Sequence, residues 1–130
     1  EWLWEKPFPF GNSIGHLVLH LTGNLSHYIG ANLAGTGYVR DREREFVDPV
    51  HPATDDLLAR YHDAVATVVK TIRSLDNATL AAKYESPQPV QSRLGVFLVC
   101  ASHMENHVGQ MAYLAQAIRL KGEPSPDIGL

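Results

Sequence analysis

Residues 92–120 read SRLGVFLVCASHMENHVGQMAYLAQAIRL, without a proline. At roughly 100° per residue, Val96, Val99, Cys100, Leu114 and Ile118 fall on one helical face. His103, His107 and Gln110 fall on the same face, and Glu105, Ala112, Gln116 and Arg119 lie opposite. The stretch therefore predicts a helix from about Ser92 to Leu120, stopped by Gly122 and Pro124. Two histidines one turn apart stand one above the other in the middle of an apolar stripe. Buried imidazoles need partners, because an unpaired polar group in a core is costly. A metal ion satisfies both at once. Hydrogen bonds to neighbouring side chains or carbonyls would also serve, and the pair alone leaves both readings open.

The third imidazole comes from upstream. Ile14, Leu17, Leu21, Leu25 and Tyr28 recur at helical spacing and predict a helix from about Ser13 to Leu33, capped by Asn12 or Ser13 and ended by Gly35 and Gly37. His16, His20 and His27 share one side of it. His20 lies nearest the apolar stripe and is expected to face inward, with Asn24 one turn on to support it. His16 and His27 lie further round and are expected to be solvated. His51 and His62 are given no role. Cys100 reads as a small core residue.

A further helix is predicted from about Thr54 to Leu75, with Leu57, Tyr61, Val65, Val68, Ile72 and Leu75 as its core stripe. Asp55 and Asp56 suit the positive end of its dipole. Between the helices lie a charged loop, 35–52, able to hold one helical turn, and a connection, 78–91. The chain opens with an aromatic segment (Trp2, Trp4, Phe8, Phe10) in which Pro7, Pro9 and Gly11 forbid a regular helix. The tail from Ser125 is expected to be irregular. Three amphipathic helices without a convincing strand predict an all-α bundle of one domain, 1–130.

Composition narrows the function classes. The 130 residues are 45% hydrophobic, enough for a core, and the formal net charge is −3. Lys and Arg form no stripe, which argues against a nucleic-acid partner. The longest apolar run, Leu94 to Ala101, falls far short of the ~20 residues that span a bilayer. One cysteine permits no intrachain disulfide and favours a cytoplasmic location.

Two segments carry a family resemblance. Asn12-Ser13-Ile14-Gly15-His16-Leu17-Val18-Leu19-His20-Leu21-Thr22-Gly23-Asn24 resembles the second helix of the DinB/YfiT-like superfamily of metalloenzymes, in which a His followed by Leu is a ligand. His103-Met104-Glu105-Asn106-His107-Val108-Gly109-Gln110 resembles its last-helix signature, His-x-x-x-His-x-Gly-Gln. The charged loop around Arg40 to Phe46 and the ending Gly122 to Asp127 are also similar. The resemblance covers nearly the whole chain. It implies a metal triad of His20, His103 and His107, with Asn24 and Gln110 in support. It also implies a DinB-like four-helix bundle whose first helix is missing from this chain.

Three histidines leave a coordination position open, as in catalytic rather than structural sites. Imidazole ligands suit zinc, nickel, copper or iron, with zinc or nickel expected. Met104 follows His103, so this is not the His-Glu-x-x-His protease motif, and helix geometry places no carboxylate beside the ligands. Members of the superfamily include transferases in which the metal activates a low-molecular-weight thiol. Arg40, Arg42 and Arg44 could hold the carboxylates of such a thiol, or simply pair with Asp41, Glu43 and Glu45 in a solvated loop. The expected function is a metal-dependent thiol transferase acting on a small molecule. The alternatives are a metal-dependent hydrolase of a small substrate and a non-catalytic metal-binding or interaction module. The aromatic segment and the absence of the family's first helix leave apolar surface to cover, so a homodimer is expected.

Overall fold

The computed structural model describes residues 2–47, 51–85 and 90–121. These are all-helical, without strands apart from one isolated bridge between Lys83 and Ser92. A 3-10 turn, Trp2–Trp4, precedes five helices. The first, α1, is an α-helical segment Ile14–Leu25, a π-helical segment Ser26–Ala31 and a last α turn Asn32–Ala34. Then come α2 (Arg44–Val47), α3 (Thr54–Ser74), α4 (Asn77–Ala81) and α5 (Arg93–Arg119). No helix among the described residues is long and apolar enough to cross a membrane.

The ends follow local chemistry. Ser13 caps α1, its Oγ accepting from the His16 N–H at 3.2 Å, and Ser92 caps α5 by accepting from the Gly95 N–H at 3.1 Å. Gly35, at φ +67°, closes α1 in the left-handed region, and its N–H reaches the Ala31 carbonyl. The connection after α3 holds more order than its composition predicts. Leu75 turns extended to end α3, and Asp76 caps the short helix α4, accepting from the Thr79 N–H at 2.7 Å. The π segment inside α1 has no counterpart in the periodicity. The expected stop at Gly122 and Pro124, the tail, and Pro87 and Pro89 lie outside the described residues.

The helix α1 packs against both α3 and α5 and is the central element. Leu25 and Ile29 meet Ala64 of α3 and Val96, Phe97 and Cys100 of α5 in one buried cluster. The seam on α3 differs from the expected stripe. Ile72 is exposed, whereas Ala64 and Thr71 are buried. The inward positions run 57, 61, 64, 68, 71 and 75, alternating steps of four and three residues. This 3.5-residue repeat keeps a long helix against its neighbour where 3.6-residue counting drifts off the seam. Small Ala64 and Thr71 let α1 approach closely, and the buried Thr71 hydroxyl is satisfied by the Thr67 carbonyl at 2.6 Å. Across α5, Leu94, Leu98, Ala101, Val108 and Ala112 point outward with Glu105, so this helix is apolar on much of its circumference.

Leu25 sits in the cluster that all three long helices share, so Leu25→Ala is expected to cost about 2–5 kcal/mol. Val39→Ala, at a loop side chain 87% exposed, is expected to stay within about 0.5 kcal/mol. Urea unfolding of both variants measures the difference.

Candidate metal centre

The helix α1 presents His20 two turns after its cap, buried at 6% exposure, and α5 presents His103 and His107 on the face that meets it. The Nε2 of His103 lies 3.2 Å from that of His20 and 2.9 Å from that of His107. One ligand nitrogen from each of the three lies within 4.8 Å of the others, close enough to bind one metal ion.

The protonation of the rings follows from their other nitrogens. His20 Nδ1 lies 2.8 Å from Glu45 Oε2. A carboxylate only accepts, so Nδ1–H donates and His20 Nε2 keeps its lone pair. His107 Nδ1–H donates to Gln110 Oε1 at 2.8 Å, and its Nε2 is likewise a lone pair. Two fixed acceptors and the Nε2 of His103 thus point at one spot. A proton on His103 Nε2 serves them imperfectly, whereas a cation accepts all three lone pairs. The 2.9 and 3.2 Å separations approach the ~3.3 Å expected between ligands held tetrahedrally at ~2.0–2.1 Å, so the residues fit a divalent ion.

Glu45 arrives from the charged loop on α2. Its carboxylate is gripped by Arg40, with Nε donating to Oε1 at 2.6 Å and Nη2 to Oε2 at 2.9 Å. Burial alone would raise the Glu45 pKa, but hydrogen bonds from His20 and Arg40 outweigh it and hold the carboxyl below its ordinary value. Gly23 makes room for the group, since a Cβ there would run into the Glu45 carboxylate. Burial, then the neighbouring His107, His20, Arg40 and Arg42, pull His103 down to about 4. Its ring is therefore neutral at neutral pH, as a ligand must be. Burial pushes the Cys100 thiol up to about 11, which leaves it a neutral core group.

A family model for a protein of unknown function (DUF1572) matches residues 2–123. The chain belongs to the DUF1572 family. No curated protein and no solved structure matches it.

Around its triad the DUF1572 chain departs from several expectations. His16 is buried at 5% exposure rather than solvated. Its Nδ1 lies 2.6 Å from Ser13 Oγ, and Trp4 meets it edge-on at 5.4 Å. The aromatic entry segment folds back over the first turn of α1, and Gly15 gives Trp4 its space, since a Cβ would come within 2.5 Å of the indole. His51 stacks on Trp4 at 4.1 Å, while His62 is exposed and His27 half-buried against Tyr28. Arg40 does pair with Glu45, yet the pair is buried against His20 rather than solvated. Arg42 packs over the Phe46 ring at 5.6 Å, and Arg44 is exposed. Asn24 is buried but makes no hydrogen bond to His20, and its Oδ1 has no partner among the described residues.

Purified DUF1572 protein is expected to carry about one divalent ion per chain, and the double variant His103→Ala, His107→Ala none. Glu45→Gln weakens the hold on the His20 tautomer and is expected to lower metal affinity about 10–100-fold. Metal analysis with competition by a chromogenic chelator reads both. In the metal-free chain, His103 titrates at about 4 when folded against 6.5 for an ordinary histidine. The unfolded state then binds more protons between these values. Stability from this site is full above pH 6.5 and is expected to fall as pH drops from 6.5 toward 4. Glu45, whose folded value is lowered, adds a loss as pH falls further. Thermal melts of the apo-protein across pH 4–8 check the direction.

Proposed function

We propose that this chain holds one divalent ion, zinc or nickel, on His20, His103 and His107 and transfers a low-molecular-weight thiol to a small electrophilic acceptor. The observation that carries the reading is the convergence of two lone pairs, fixed by Glu45 and Gln110, on the Nε2 of His103. An ion bound there would supply Lewis acidity, lowering the pKa of a thiol or water that reached its open position. Neutral imidazoles leave that ion its full positive charge. Glu45 and Gln110 set the tautomers and act as positioning residues. Asn24 lines the cavity beside the triad and makes no hydrogen bond to His20.

The protein itself supplies no nucleophile. Cys100 is buried and its thiol is pushed up to about 11. Glu45 stands behind His20 with both oxygens engaged, so it is not free to act as a general base. The attacking group must then come from outside, and it must ionise without a carboxylate beside it. A thiol, with a free value of ~8.5, needs far less help than water. The similarity to DinB/YfiT-like thiol transferases supports the same choice, together with their four-helix bundle. A cytoplasmic setting, with its reduced thiols, suits a chain with one cysteine. The outward row Leu94, Leu98 and Val108 on α5 supports a homodimer through that helix.

The test is a panel of small thiols with an electrophilic acceptor, with and without chelator, on wild type and His107→Ala. Turnover is expected to need both thiol and metal and to fall at least ~10-fold in the variant. Equal rates with and without chelator would overturn a metal-activated nucleophile. Metal-dependent turnover without thiol would replace the transferase with a hydrolase.

A further inference from the structure

A cavity of about 260 Å³ opens beside the triad between α1, α5 and the charged loop. His20 and His103 form one wall, Val96, Val99 and Cys100 an apolar one, and Asn24, Tyr28, Arg40 and Arg42 the rest. Two of its lining residues carry buried polar atoms with no partner among the described residues, Asn24 Oδ1 and His103 Nδ1. Asn24 is only 8% exposed, so solvent does not satisfy its amide. Native chains rarely leave such groups unpaired, and at a cavity wall they point to a ligand that completes them.

Charge narrows what that ligand is. No carboxylate lines the cavity, and two guanidinium groups do. Arg40 is neutralised by its paired contact with Glu45. Arg42 has only the Phe46 ring and no carboxylate partner among the described residues. One uncompensated cation therefore faces a partly enclosed space, where a guanidinium favours a planar, two-oxygen anion. Size narrows it further. At ~30 Å³ per water-sized group, 260 Å³ admits a molecule of fewer than roughly ten heavy atoms.

We infer that this cavity binds a short-chain organic carboxylate, its carboxylate on Arg42, its polar substituent on the Asn24 amide and its carbon body against Val96 and Val99. Such a molecule lies next to His20 and His103, so the inference names the substrate class of the metal centre and rests on that reading for its catalytic meaning. The binding site itself stands on Asn24, Arg42 and the cavity. Arg42 is a specificity residue here, and Asn24 the contact for the polar substituent.

The experiment is calorimetric titration of the full chain, zinc-loaded and zinc-free, with propionate, propionamide, 3-mercaptopropionate and 3-mercaptopropionamide. Arg42 is itself solvent-exposed, so each acid is expected to bind about 3- to 10-fold tighter than its amide, the scale of a charge-assisted pair that water still reaches. Arg42→Gln should erase that ratio, and Arg42→Lys should keep part of it. Asn24→Ala should weaken the two mercapto ligands several-fold with their acid-to-amide ratio intact, and leave propionate and propionamide little changed. Zinc stoichiometry should not change in any of these variants. A carboxylate also coordinates zinc directly, so the zinc-free arm decides the site. Equal affinity for acid and amide there, or a ratio that survives Arg42→Gln, would overturn the inference. A chain that takes up no zinc yet prefers the acids would sink the proposed function and leave this site standing.

Discussion

Glu45 is a carboxylate taken out of water, and the rest of the site is arranged around that cost. An isolated buried carboxylate would take up a proton or stay at the surface. Here both oxygens are occupied, by Arg40 on one side and by the Nδ1–H of His20 on the other. The ion pair fastens the loop to α1, and the same contact fixes which nitrogen of His20 carries its proton. Gly23 is the geometric condition for it, since any side chain at that position would occupy the place of the carboxylate. A glycine inside a helix costs about 1 kcal/mol against alanine, and this one is offset by the clasp it admits.

The same helix carries two loads that are kept apart along its length. Before Leu25, α1 presents His20 and Asn24 to the site. From Leu25 on, it presents Leu25 and Ile29 to the core shared with α3 and α5. The π segment, Ser26–Ala31, falls in the second part. It changes the register of the helix past the site, so the geometry of His20 depends on the regular turns between Ser13 and Gly23. On α5 the two histidines are one turn apart on an unbroken helix. Rigid elements thus hold all three imidazoles, which is what a site needs if its nitrogens are to meet within a fraction of an ångström.

Much of this was legible in the sequence, for a physical reason. A helical period carries its own direction, so Val96, Cys100, His103 and His107 declare their common face, and His20 declares its place beside Leu17 and Leu21. The seam on α3 is less legible, because 3.6-residue counting favours Ile72 where a 3.5-residue seam selects Thr71. The helical period places His16 toward solvent, whereas its burial comes from Trp4, a residue of the irregular entry segment whose path no period encodes. The partner of His20 was not legible at all. In Arg40-Asp41-Arg42-Glu43-Arg44-Glu45 every acid has an arginine beside it, and only tertiary contact selects Arg40 and Glu45 for burial. The one trace in the sequence was Gly23, a glycine one turn from His20 with no turn to make. It marks a close approach without naming what approaches.

The loop is therefore where this site is open to change. Its contribution is double: Glu45 tunes the basicity of His20, and Arg42 sets the sign of the charge in the cavity beside it. The two residues are three positions apart but face different tasks, and neither task is shared with α5, which holds the other two imidazoles. A substitution at Arg42 alters what the cavity attracts and leaves the triad in place. One at Glu45 alters the hold on His20 and leaves the cavity charge nearly as it was only if Arg40 finds another partner, because an Arg40 released from its carboxylate would add a second cation to the same wall. Loop and helix thus divide the work, with the helices fixing where the three imidazoles meet and the loop fixing the charge beside them. The exception is the Arg40–Glu45 pair, where changing one function forces a change in the other.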